Sequence, residues 1–133
     1  MSAARAVRNV AASIRQRLLD LTRSSEKLEA MQVLGMANTR MKDYFDLLIL
    51  AREGAMDAKV LSDAIRATFR RRGTALPEGL PLGLSDEFAN DAAKRRQWDA
   101  FVQRNRLQAP PLADVVSELG DFVRALPIRS GAA

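Results

Sequence analysis

Residues 38–51 read Asn-Thr-Arg-Met-Lys-Asp-Tyr-Phe-Asp-Leu-Leu-Ile-Leu-Ala, the most apolar run of the chain. At about 100° per residue, Met41, Tyr44, Phe45, Leu47, Leu48 and Ile49 spread over most of a helical circumference, and a helix that apolar belongs inside a folded body. Asp43 and Asp46 occupy the remaining arc with Lys42 and Leu50. Three residues apart, the two carboxylates share a face. On a buried helix they must meet a cation, a hydrogen-bond donor or a metal, because burying a bare charge is costly. Fold and function both turn on how this helix is covered and what its acids meet.

The 133 residues suit one domain with a modest core. Val, Ile and Thr do not gather into strands, so the fold class expected is all-α: a bundle of five to six helices with a Pro/Gly-rich connecting loop. No cysteine is present, which excludes disulfides, thiolate chemistry and Cys-based zinc sites. No histidine is present either, which removes the commonest general base and metal ligand. Any catalysis would have to run on carboxylates, lysine, arginine and a bound metal. The formal net charge of +5 permits nucleic-acid or acidic partners. No apolar run approaches a membrane span and no secretory signal is seen, so the expectation is a cytoplasmic protein without a membrane partner. Residues 1–19 hold several arginines and no acid, as an organelle transit segment does. Val7, Val10, Ile14, Leu18 and Leu21 supply a core stripe, however, and favour an ordinary first helix.

In chain order, that helix spans residues 6–22. Ser24 and Ser25 are candidate N-caps for a second helix over residues 26–37. Asn38 or Thr39 caps the central helix, and Gly54 ends it as a C′ glycine. Asp57 caps a helix reaching about Arg72, with Val60, Leu61, Ala64, Ile65, Thr68 and Phe69 inward and Gly73 as the stop. Pro77, Gly79, Pro81 and Gly83 make residues 74–84 a connector. Ser85 caps a short turn through Phe88. Asp91 starts a helix to about Leu107 that buries Trp98, Phe101 and Val102. Pro110 and Pro111 break it before a last helix packing Val115, Val116, Leu119, Phe122, Val123 and Leu126. Residues 128–133 are expected to fray. No repeat, low-complexity block or coiled-coil heptad stands out. The organisation is a single helical domain, with segments 1–23, 24–72, 73–90 and 91–127.

The stretch Arg-Met-Lys-Asp-Tyr-Phe-Asp at residues 40–46 resembles the Lys-Asp-x-x-Asp motif of the AbiEii/AbiGii toxin family of nucleotidyltransferases. Residues 26–38, residues 64–74 (Ala-Ile-Arg-Ala-Thr-Phe-Arg-Arg-Arg-Gly-Thr) and the Gln-Trp-x-x-Phe within residues 94–101 resemble the same family in the same order. Residues 9–19 are similar to the extreme N-terminus of its members. The family places a catalytic core between that helix and the region around Glu26; here the two join near residues 23–25. The resemblance thus implies a shortened member. It implies Mg²⁺ and a nucleoside triphosphate as cofactors, RNA (tRNA) as acceptor, and an antitoxin as partner.

Carried over residue by residue, Lys42, Asp43 and Asp46 become catalytic candidates, with Asp43 and Asp46 as candidate Mg²⁺ ligands. The competing reading is local pairing, Lys42 with Asp46 and Arg40 with Asp43. Nucleotidyl transfer needs a triphosphate held by Mg²⁺ and an aligned acceptor hydroxyl. The family supplies these from an Asp-x-Asp strand after a Gly-Gly or Gly-Ser turn, and this sequence has neither motif. The chain alone is therefore expected to be inactive. Arg66, Arg70, Arg71 and Arg72 are the nucleic-acid-binding candidates, against a basic helix end that satisfies the helix dipole. Lys94, Arg95, Arg96, Arg104 and Arg106 form a second basic band, read as a solvated face. The alternatives are a helical module that binds an antitoxin or a separate catalytic core, and a basic RNA-binding bundle. Apolar surface exposed around Leu47 and Leu50 would promote self-association.

Overall fold

The computed structural model describes residues 2–54 and 56–128. Among them are six α-helices and no strand: α1 (Ala3–Leu34), α2 (Met41–Glu53), α3 (Ala58–Arg71), α4 (Asp86–Asn90), α5 (Ala92–Arg104) and α6 (Leu112–Arg124). Two 3-10 turns, Gly35–Ala37 and Leu82–Leu84, join them. The all-α class expected from the sequence is the one observed.

The largest departure is at the N-terminus. The two expected helices are one, 32 residues long, and the break at residues 23–25 does not exist. Ser24 and Ser25 are not caps. Both are fully buried inside α1, and the Ser25 hydroxyl donates to the Leu21 carbonyl one turn back at 2.7 Å. That bond satisfies the Ser25 hydroxyl within the helix, so Ser25 does not open the ladder. With no Gly or Pro nearby, nothing else stops it. The small serines let the body approach closely at this point: Ser24 Oγ lies 3.8 Å from Met56 Sδ.

The expected core stripe of the first helix is not in the core. Val7, Val10, Ile14 and Leu18 are exposed, and burial begins only at Leu21 and Ser24. From Ser24 onward α1 packs mainly against α3. Gly35 ends it at φ +50°, and a Cβ there would lie 2.7 Å from the Leu82 side chain.

The remaining caps mostly follow the sequence reading. Asp57, Ser85 and Asp91 accept from the backbone N–H groups of Val60, Phe88 and Lys94. Gly54 takes the left-handed conformation at φ 62°. Neither Asn38 nor Thr39 caps α2. Asn38 is buried and its Oδ1 accepts from Arg40 N at 2.8 Å, a turn that precedes the helix. α5 stops at Arg104 rather than near Leu107.

The core gathers where α2, α4, α5 and α6 meet the second half of α1 and α3. Tyr44 is its pivot. Its ring stacks on Phe88 at 5.1 Å, and its hydroxyl donates to the Gly83 carbonyl at 2.7 Å. A Cβ on Gly83 would fall 2.7 Å from that hydroxyl and 3.0 Å from Met31, so only glycine fits there. Trp98 is buried and donates from Nε1 to the Pro110 carbonyl at 2.9 Å.

Three further expectations are overturned by packing. Leu47 is buried and Leu50 partly so; Ile49 is the outward residue of α2. Val60 faces solvent. Lys94 does not belong to a solvated face: its ammonium is buried, donates to the Asn38 carbonyl at 2.7 Å and lies 5.4 Å over the Phe88 ring. Residues 129–133, expected to fray, lie outside the described residues, but Ile128 is held by its carbonyl against Arg66.

Candidate functional site

Asp43 and Asp46 stand one turn apart on α2, on the side turned toward the second half of α1. Lys27 of α1 reaches between them. Its ammonium lies 2.9 Å from Asp43 Oδ1 and 3.3 Å from Asp46 Oδ2. Lys42 closes on Asp46 Oδ2 from the solvent side at 2.7 Å. Two carboxylates thus face two ammonium groups, and the cluster is charge-balanced. It is half-buried: the Lys27 and Asp43 side chains are 18% and 16% exposed, whereas Lys42 is 75% exposed. The expected Lys42–Asp46 pair forms, while Asp43 pairs with Lys27 rather than Arg40.

Lys27 is the residue that the sequence reading missed. It lies sixteen positions before Asp43, on a different helix. One faint signal existed. The chain has only four lysines among its 21 basic side chains, and Lys27 is the first of them. Its compact ammonium, with three rotatable donors on a flexible stem, reaches both carboxylates.

The implied Mg²⁺ does not fit this donor set. A hard divalent ion wants several oxygen ligands around it. Here the space between the two carboxylates is taken by the Lys27 ammonium, which already supplies the positive charge. Among the described residues no group of three or more acidic side chains is close enough to hold a metal.

The cluster opens on two recesses. One of about 160 Å³ is lined by Arg23, Glu26, Lys27, Arg40, Asp43 and Arg72. The other, about 510 Å³, shares Arg40 and Asp43 with the first and reaches Gln97, Phe101 and Arg104. Cations outnumber acids on the walls of both, which suits an anionic group in contact with this face.

The arginine candidates divide. Arg70 and Arg71 are exposed at the end of α3, with no ion pair among the described residues. Arg72 is drawn back onto α1, 3.7 Å from Glu26 and 3.4 Å from buried Glu29, whose other oxygen has no hydrogen-bond partner among the described residues. Arg66 is committed to the carbonyls of Pro127 and Ile128 and to Asp63. Within the second basic band, Arg95 donates to the Ala89 carbonyl and to Asn90, while Arg96, Arg104 and Arg106 remain exposed.

Beside Asp43, burial pushes the Tyr44 phenol well above its ordinary pKa of 10.0, and the neighbouring carboxylate adds to the shift. Across the molecule, the hydrogen bond from Arg52 lowers the pKa of Glu118 and that from Lys59 lowers Asp63.

Residues 24–124 match the sequence profile of a family described as nucleotidyl transferase AbiEii toxin, type IV toxin–antitoxin system. The match begins at the serine where α1 becomes buried and ends at the last residue of α6. No curated protein and no solved structure matches the chain.

Proposed function

Because the chain belongs to the AbiEii family of nucleotidyl transferase toxins, we propose that it is the helical part of such a toxin, in a shortened form that does not transfer nucleotides to RNA by itself. The observation that carries this reading is the position of Lys27. A catalytic carboxylate pair must be available to a metal–triphosphate complex. Here Asp43 and Asp46 are neutralised from within the chain. The sequence also lacks the Asp-x-Asp and the Gly-Gly or Gly-Ser turn that the family chemistry uses.

In this reading Lys42, Asp43 and Asp46 form a structural cluster with Lys27, and activity requires a second polypeptide that brings the phosphate turn and the metal ligands. The exposed Arg70 and Arg71 are the residues best placed to meet RNA phosphates. The setting is a toxin–antitoxin pair in the cytoplasm, with the antitoxin as a further partner.

The test is a transfer assay. Purified protein is incubated with Mg²⁺, each labelled nucleoside triphosphate in turn, and total tRNA, with Asp43→Ala and Asp46→Ala in parallel. No label in RNA is the expected result. Label that appears with the parent chain and disappears in both variants would mean that the two acids build a working site, and the reading would fall.

A further inference from the structure

Residues 3–22 of α1 form a long surface feature that the site does not use. At 1.5 Å per residue they span about 30 Å, and most of them are exposed. Val7, Val10, Ile14 and Leu18 lie along this arm and are 51–68% exposed. Their spacings are three, four and four residues, and three more lead to Leu21, which touches the core. The order three, four, four, three is not the strict alternation of a coiled-coil heptad, which would put Arg17 in place of Leu18, but it keeps the apolar side chains on one stripe of the helix. At about 100° per residue these five side chains fall within an arc of about 80°, narrower than the face of a helix that packs on a globular core.

Charge says what kind of surface fits. The arm carries Arg5, Arg8, Arg15 and Arg17 and no acid before Asp20, whose carboxylate accepts from Gln16 at 2.9 Å. Four of the chain's five net positive charges therefore lie on its first nineteen residues. On the helical wheel Arg8 and Arg15 flank the seam on one side and Arg17 on the other. In paired helices, the flanking positions choose the partner by charge.

We propose that this arm docks an acidic helix of another protein along the seam of Val7, Val10, Ile14, Leu18 and Leu21, with carboxylates of the partner set against Arg8, Arg15 and Arg17. A second copy of the chain would bring arginine against arginine. A membrane surface suits the arm less well, since interfacial helices bury a broad face with aromatic anchors, and the first aromatic residue of the chain is Tyr44. Nucleic acid would pair with the arginines but leave the seam in water. The arm precedes the segment that carries the family match, so the proposal does not rest on the nucleotidyl transferase reading.

The experiment uses the full chain and a fluorescent helical peptide about three heptads long, with leucine along one seam and glutamate on its flanks. A second peptide replaces each glutamate by lysine. Binding is followed by anisotropy at low and high salt. Two double variants, Val10→Ser with Ile14→Ser and Arg8→Gln with Arg15→Gln, are compared with the parent. All four positions are exposed, so the thermal transition of the body serves as the folding control. The glutamate peptide should bind and the lysine peptide should not. Each double variant should weaken binding by roughly tenfold or more, and salt should weaken it further. Absence of binding to the glutamate peptide at low salt, equal binding of both peptides, or binding indifferent to Val10 and Ile14 would overturn the proposal. So would arm-dependent dimers of the chain alone in sedimentation. Tighter arm-dependent binding to total tRNA, or to phosphatidylglycerol–phosphatidylcholine vesicles, than to the peptide would overturn it in favour of those surfaces.

Discussion

At the scale of single residues, three positions have measurable consequences. Lys27 holds two carboxylates from a neighbouring helix. Replacing it with alanine leaves Asp43 and Asp46 one turn apart with Lys42 alone, and should cost about 1 kcal/mol in urea unfolding. Mg²⁺ should then restore part of that stability in the variant and none in the parent, because only the variant leaves room between the carboxylates. Gly83 is the tightest point of the core. Gly83→Ala should destabilise by about 1–3 kcal/mol, since Tyr44 and Met31 must both give way. Tyr44 carries the pH prediction. Its phenol ionises more readily in the unfolded chain, near 10.0, than in the fold. The stability that follows is complete below that pH and drains away as pH rises above it, by about 1.4 kcal/mol per unit. Unfolding midpoints measured from about pH 9 to about pH 11 should fall more steeply for the parent than for Tyr44→Phe, although the variant starts lower for lack of its bond to Gly83. The acids and Lys42 were legible in the sequence because they lie within one turn. Lys27 was not, because the contact that gives it a role joins two helices.

At the scale of elements, the sequence marked what stops a helix better than what lets one continue. Asp57, Ser85, Asp91 and Gly54 act as their types suggest. Ser24 and Ser25 have the same cap chemistry but do not cap: Ser25 spends its hydroxyl inside α1 and Ser24 turns its own to Met56, and no local signal separates these uses from capping. Reading a break there turned one long helix into two, and placed Val7 to Leu18 in a core that does not reach them. Most helical stability in proteins comes from packing against other elements, and residues 7–19 lack it. Backbone amides of residues 7–19 should therefore exchange with solvent at rates close to those of an unfolded peptide, while those of residues 28–34 are protected by the body. Hydrogen exchange read by mass spectrometry distinguishes the two halves. Uniform protection along α1 would contradict the picture of an unsupported arm.

At the scale of the whole molecule, the all-α class followed from composition and periodicity, and burial of Trp98, Phe69 and the apolar side of α6 followed with it. The polar interior did not. Buried Lys94, Asn38 and Glu29 are determined by which helices meet, which no local pattern encodes. A chain lacking residues 2–19 should keep the cooperative transition of the parent within about 0.5 kcal/mol, since those residues add almost nothing to the core. Its net charge falls to +1 with the four arginines, and its affinity for a cation-exchange resin should drop accordingly. The one indole of the chain gives a final consequence. Trp98 is buried against the Pro110 carbonyl and is no part of residues 3–22. Its emission reports water entering the junction of α5 and α6 and is blind to the arm, whereas far-ultraviolet ellipticity counts every helical turn alike. Melting curves from the two signals should not coincide: ellipticity should decline first, before the indole emission shifts. Such a mismatch, ordinarily taken as the mark of a folding intermediate, would here be the optical signature of a helix with nothing to lean on.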